Sequence, residues 1–263
     1  MTTVQLWTLG ISLVGAAAWL PHLVTLSIKM LRKPKLTITP ARICEVGFTE
    51  LGPIFNIKAA ITAEHDNILI DAIEFNIKHE SGDKYNFRWH EITEVKGQMI
   101  MPGVQSQPIY QESEAIAIKI LPTDFKDLLF RNRLEPHTQG LKAYNYAFNR
   151  ERRRLINANQ YKSGTFYTSS HVQDMQAFLQ SQMIWKRGRY HVEILVHNRN
   201  KAIAELPTLT FQLSEEDIVL LQTNCNNMPK LLKNMCLTKE ERDDQHEPLE
   251  WHWLDKDLSA SMP

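Results

Sequence analysis

The chain lacks the short motifs that mark most cofactor-binding and hydrolytic enzymes. Its 263 residues contain no G-x-G-x-x-G or G-x-x-x-x-G-K-[ST] phosphate loop, no H-E-x-x-H zinc motif and no G-x-S-x-G nucleophile motif. We therefore predict a non-enzymatic protein that has no catalytic residue, no cofactor and no metal site. An enzyme whose site is assembled from scattered residues is the alternative that remains open.

The chain also has few cysteines and no formal net charge. The three cysteines, Cys44, Cys225 and Cys236, are odd in number and none forms a C-x-x-C pair, which is not what a disulfide framework requires. Reduced thiols in the cytosol are the simpler interpretation. Lys+Arg and Asp+Glu both number 30, so the formal net charge is zero. This balance argues against a dedicated nucleic-acid-binding protein.

Charge is absent altogether from the first 28 residues. The apolar run at 4–26 is longer than the roughly 20 residues that a membrane-spanning helix needs. Four cationic residues follow it and none precedes it: Lys29, Arg32, Lys33 and Lys35. The positive-inside rule then places the N-terminus outside and the rest of the chain in the cytoplasm. A cleaved signal peptide fits less well, because no charged region precedes the apolar run. Residues 1–35 are thus predicted to anchor the protein in a bacterial inner membrane by a single transmembrane helix, with membrane lipid as a partner.

Alternating apolar residues predict about seven short strands in the rest of the chain. The clearest pattern is a hairpin, with strands at 73–78 and 84–89 joined by a polar turn at 80–83. Other strands are predicted at 36–39, 55–63, 116–120, 186–196 and 209–213. Residues 93–111 are predicted to be a loop. The sequence Gly188-x-Tyr190 at the start of a strand resembles immunoglobulin-like domains, in which a tyrosine ties a corner to the backbone.

Helical periodicity interrupts the strands at about 122–185. We expect a short helix that begins at Thr123 or Asp124 and continues to Leu134, a second helix at 141–157 and a third from about 170 to 185. The predicted fold is therefore mainly β (α+β): an antiparallel immunoglobulin-like β-sandwich at 36–237 with a helical insertion. A polar, tryptophan-containing tail would follow at 238–263.

An arginine cluster in the second predicted helix is the strongest local concentration of charge. It consists of Arg150, Arg152, Arg153 and Arg154. A solvated helix face, a contact with anionic lipid and a contact with nucleic-acid phosphate are all consistent with it.

Two tryptophans in the predicted tail, Trp251 and Trp253, are unusual for a disordered segment, which would expose a large apolar area. Either the tail packs back on the domain or these side chains dock on a partner protein. Metal binding by His246 and His252 is a third interpretation, and it is less favoured.

Together these features predict a membrane-anchored protein whose cytosolic domain binds a protein partner or ligand. One form of this hypothesis is a membrane-perturbing effector of bacterial anti-phage defence, with self-association of the chain as part of it; the effector layout is an analogy. A non-toxic scaffold that holds a complex at the membrane is the alternative.

Overall fold

A computed structural model describes residues 18–24, 27, 34–99, 107–122, 124–199 and 201–260. Most of the predicted transmembrane segment, including Lys29, Arg32 and Lys33, lies outside these residues. The part that is described, 18–24 and 27, is helical and exposed. No helix among the described residues is long and apolar enough to cross a membrane.

Thirteen strands account for nearly half of the described chain. They are β1 (Lys35–Thr49), β2 (Gly52–Glu64), β3 (Ile68–Ile70), β4 (Ala72–His79), β5 (Lys84–Met99), β6 (Gln107–Glu114), β7 (Ile118–Ile120), β8 (Phe125–Leu134), β9 (Gly188–Asn198), β10 (Lys201–Glu205), β11 (Leu209–Leu213), β12 (Trp253–Asp257) and β13 (Ser259–Ala260). Eleven of them form one antiparallel sheet with the central order β12-β1-β2-β8-β5-β4-β9-β11-β13, and β3 pairs with β7.

The last two strands bring the edges of this sheet together. Strand β12 pairs with β1, and β13 pairs with β11 at the opposite end of the strand order. Only Leu258 separates β12 from β13, and its backbone N–H donates to the Arg42 carbonyl at 2.7 Å. The sheet therefore curls into a nearly closed, barrel-like sandwich. The predicted antiparallel, mainly-β architecture is confirmed, although one continuous sheet replaces the two separate sheets of an immunoglobulin domain.

Aromatic side chains fill the interior of the sheet. Phe55 contacts Phe75, Phe87 and Phe211, with ring centroids 5.8–6.3 Å apart. Tyr190 stacks on Phe211 at 4.9 Å. Such offset pairs add to the hydrophobic gain from burying large rings. The Tyr190 hydroxyl also donates to the Lys186 carbonyl and accepts from the Lys186 N–H, so the expected tyrosine corner is present.

Six helices follow in the described chain. They are α1 (Glu135–Asn157), α2 (Ser163–Tyr167), α3 (Ser170–Ser181), α4 (Glu215–Asn226), α5 (Met228–Cys236) and α6 (Lys239–Gln245). They pack at the end of the sheet where β8 runs into α1 and β11 runs into α4. Helix α4 begins with a capping box between Ser214 and Asp217.

Two local predictions were wrong. Residues 125–134 form strand β8 instead of a short helix, because β8 pairs on both sides, with β2 and with β5. This tertiary pairing overrides the helix-start signal at Thr123 and Asp124. Helical structure therefore begins at Glu135 and not near 122. The predicted loop at 93–111 also contains strand, because β5 continues to Met99 and pairs with β6.

Candidate functional site

A groove runs along the outer face of strands β1, β2 and β8. It consists of two open clefts, of about 600 and 650 Å³, that share five lining residues. The shared residues are Glu45, Asn56, Leu129, Arg131 and Asp255. These dimensions are in the range of ligand and peptide sites, and the groove is the candidate functional site.

Strand register builds the floor of the groove as one transverse row of polar residues. Asp255 of β12 lies opposite Glu45 of β1, which lies opposite Asn56 of β2. Asn56 in turn lies opposite Arg131 of β8, which lies opposite Glu91 of β5. Because side chains alternate between faces along a strand, all five project outward while their neighbours fill the core. Five strands far apart in the sequence thus contribute to one row.

Ion pairs fix the β8 side of this row. Arg133 contacts Glu91 at 2.6 Å, and Arg131 contacts Glu112 at 2.8 Å and Glu91 at 3.9 Å. Lys58 lies 3.8 Å from Asp127 nearby. Single exposed pairs contribute little to stability, about 0–1 kcal/mol. A network of this kind mainly sets the positions of the side chains.

The β12 side of the row differs, because two carboxylates face each other there. Glu45 accepts a hydrogen bond from the Asn56 side-chain amide at 3.0 Å, and Asp255 is its direct cross-strand neighbour. Like charges directly opposite on adjacent strands destabilise a sheet. Among the described residues, neither carboxylate has an ion-pair partner, so this side of the groove presents hydrogen-bond acceptors to a ligand.

Trp253 stands beside these carboxylates and is 47% exposed. It pairs with Gly47, and a Cβ placed on Gly47 would lie 2.8 Å from the Trp253 ring. The glycine therefore lets the indole lie flat on the strand, as in other cross-strand glycine–aromatic pairs. On the inner side, the Trp185 indole N–H donates to the Gly47 carbonyl at 2.8 Å. Trp251 also lines the groove, and it is half-buried against the core. We call Glu45, Asp255, Trp251 and Trp253 the acidic–aromatic end of the groove.

Three buried asparagines hold the segment that carries the tryptophans. Asn224 and Asn234 each exchange two hydrogen bonds with one backbone residue, His252 and Glu247 respectively, at 2.7–2.9 Å. Asn227 donates to the Glu250 carbonyl at 2.7 Å. The segment 247–252 is therefore fixed to α4 and α5. The predicted tail thus packs back on the domain, and it presents Trp253 while doing so.

The arginine cluster divides among different surroundings. Arg152 donates to the Leu237 carbonyl at 3.3 Å and lies over the Tyr161 ring, so it joins α1 to the neighbouring helices. Arg154 makes a two-point ion pair with Glu151. Arg150 and Arg153 are exposed, and Arg150 lies over the Tyr146 ring. The structure thus does not bring the four guanidinium groups together as one surface.

Other residues that could react or bind a ligand do not line the groove. Lys35 is the first residue of β1 and lies 3.6 Å from Glu64. The three cysteines are buried, and burial raises the pKa of the Cys44 thiol to about 12 and that of Cys236 to about 11. Within the described residues, no three His, Cys, Asp or Glu side chains are grouped so that they could hold a metal ion.

Comparisons with protein-family models, with curated proteins and with solved structures found no match to this chain. Its function must therefore be inferred from the site itself.

The tryptophans of this groove could be predicted as candidate contact residues from the sequence, but the floor of the groove could not. Glu45 lies between two predicted strands, and Glu91 lies just beyond the end of another. Asn56 falls on the polar face of its predicted strand, but periodicity alone does not show which strands are neighbours. A usable signal for the attachment of the tryptophan-bearing segment was Asn224, which lies at helical spacing from the apolar residues Leu221 and Met228, because buried amides require partners.

Proposed function

We propose that this chain is a single-pass membrane protein whose cytoplasmic β domain binds a protein partner through the groove. The observation that carries the proposal is the acidic–aromatic end, where Glu45 and Asp255 face each other beside a half-exposed Trp253. The charge-free run at 1–28 and the cationic residues after it support the anchor and its orientation.

The chemistry of this end favours a segment of the partner that carries a lysine or arginine side chain. A cation placed between the two carboxylates would offset their repulsion and donate hydrogen bonds to both. The face of Trp253 would attract the same cation through its ring quadrupole. Arg131 and Arg133 already have carboxylate partners on the other side of the groove, so they leave the cation preference of this end unchanged.

Site-specific photo-crosslinking in intact cells tests the groove. A crosslinking residue at Ile43, which lines the groove and is 50% exposed, should trap one protein. The same residue at Val219, exposed on α4, should not. Asp255→Asn should weaken this crosslink severalfold, whereas Asp257→Asn on the same strand should not. Equal capture at both sites, or no effect of Asp255→Asn, would contradict the proposal.

The biological form that we propose is an inner-membrane effector, with a role in anti-phage defence, that perturbs the bilayer when its domain responds to a partner. Growth and membrane-potential dye uptake should be followed on induction of the full chain and of a chain that lacks residues 1–35. Depolarisation only when residues 1–35 are present is expected. Stable membrane potential and normal growth with both chains would instead support a non-toxic scaffold.

A further inference from the structure

Exposed apolar side chains collect at the end of the sheet that the helices do not cover. Phe125 is 71% exposed at the start of β8, and Ile116 is 77% exposed in the turn before β7. Leu69 and Leu121 are also exposed, at 39% and 38%. The segment 116–125 crosses this end of the sheet, and β7 within it pairs with β3. We call Leu69, Ile116, Leu121 and Phe125 the open-end patch.

The patch is built on a firm support. The outward Leu69 lies between Ile68 and Ile70, which are 6% and 0% exposed, on a strand that pairs with β7. The inward residues of β7, Ile118 and Ile120, are equally buried. Burial on one side of this small sheet therefore fixes the orientation of the side chains on the other.

This end is also where the chain enters the domain from the predicted membrane segment. Phe125 lies opposite Thr62 of β2, and Thr62 lies opposite Thr37 of β1. Because adjacent strands lie about 4.8 Å apart, Phe125 is only about 10 Å from Thr37. Thr37 is two residues after Lys35, the first residue of β1.

The connection to the membrane segment is short. The charge-free run ends at residue 28, and β1 begins at residue 35. The six residues between them can span at most about 20 Å, at 3.3–3.6 Å each. The start of β1, and the Phe125 side of the open-end patch beside it, must therefore lie close to the surface of any bilayer that holds residues 1–28.

We infer that the open-end patch docks on the lipid bilayer, with Phe125 and Ile116 at the boundary between headgroups and acyl chains. This inference rests on the anchor of the proposed function. Both signs of charge surround the patch, among them Lys119, Lys126, Glu64 and Asp124, so apolar contact is the main attraction and anionic lipid is not required. Docking would hold the domain upright, with the helices and the acidic–aromatic end of the groove turned away from the bilayer.

Lipid-quenching of site-specific fluorophores tests the inference on the full chain reconstituted in phosphatidylcholine vesicles. The native cysteines are buried, and their thiol pKa values are raised, so an introduced exposed cysteine should be labelled selectively. Phe125→Cys and Ile116→Cys place the fluorophore on the patch. Tyr146→Cys, 68% exposed on α1 at the helical end, is the matched control.

Lipids that carry a quencher on the acyl chain should reduce the signal at 125 and 116 at least threefold more than the signal at 146, with or without phosphatidylglycerol. Equal quenching at the three sites would overturn the inference. So would crosslinking between two Phe125→Cys chains without lipid quenching, because a second copy would then cover the patch. Alkaline extraction of the vesicles separates the two proposals: a chain that is released lacks the anchor, whereas a retained chain with an unquenched patch refutes only the docking.

Discussion

At the scale of single residues, the contact between Gly52 and His137 shows how closely the helices fit the sheet. Gly52 has a φ of +82° at the turn between β1 and β2, and a Cβ there would lie 2.5 Å from the His137 ring. His137 is fully buried and stacks on Phe178 at 5.3 Å. Backbone conformation and space both restrict this position to glycine.

We expect Gly52→Ala to destabilise the domain by about 2–5 kcal/mol, because it adds overpacking to backbone strain. Gly82→Ala separates the two effects: Gly82 also has a positive φ, +99°, but open space surrounds its Cβ position. Its cost should be close to that of strain alone, about 1–2 kcal/mol. Urea unfolding in mild detergent measures both. Equal losses for the two variants would show that the His137 contact is unimportant.

The same histidine should make stability depend on pH. Burial lowers the pKa of His137 below its ordinary value of 6.5. The unfolded chain therefore binds a proton more readily than the folded chain. As a result, the free energy of unfolding decreases as the pH falls below about 6.5. His137→Phe, which keeps a ring stacked on Phe178, should reduce the loss of stability between pH 7 and pH 5. An unchanged slope, relative to that of His246→Gln at an exposed site, would refute this origin.

At the scale of elements, the asparagine contacts explain why a polar-looking segment is ordered. The backbone of 247–252 forms hydrogen bonds with side-chain amides where a strand would bond to a neighbouring strand. These amides belong to Asn224, Asn227 and Asn234. The segment thereby satisfies its polar groups without entering a sheet until Trp253. Placement of the tryptophans therefore depends on asparagines that lie up to 29 residues earlier in the sequence, from Asn224 to Trp253.

Asn224→Ala should cost about 1–3 kcal/mol, because it leaves the N–H and carbonyl of His252 without their partner. It should also raise amide hydrogen exchange at 247–253. Asn226→Ala, at an exposed position of the same helix, is the control and should change neither quantity by much. If exchange in 247–253 stayed low in Asn224→Ala, the asparagine would not be what holds the segment.

Elements with a clear period could be predicted from the sequence, and those defined by distant partners could not. The hairpin of β4 and β5 follows from strict alternation and a polar turn, and the observed register pairs Phe75 with Phe87. Strand β8 was missed because Leu128 and Leu129 place apolar residues on both faces, which hides its period. The floor of the groove was missed for a related reason. Its residues become neighbours only through the strand order β12-β1-β2-β8-β5, and local sequence patterns do not reveal that order.

At the scale of the whole molecule, the short segment 253–260 joins β1, the first strand of the domain, to β11. Residues 253–260 pair with β1 through Ile43–Gly47 and with β11 through Leu209 and Thr210. Edges of a sheet expose unpaired backbone groups, and closure removes them. Leu254, buried at 6% exposure, adds an apolar contact to the core at this seam.

Closure predicts that two distant parts of the chain lose protection together. A chain that ends at His252 lacks β12 and β13. Amide hydrogen exchange should therefore become at least tenfold faster both at 43–47 and at 209–210. Each tenfold change corresponds to about 1.4 kcal/mol of local opening free energy. Strand β2, which keeps β1 and β8 as neighbours, should change much less. A chain that ends at residue 260 is the matched control and should exchange like the full chain. Faster exchange at 43–47 alone would mean that β13 does not close the sheet in solution, and the barrel-like sandwich would then be open between β11 and β1.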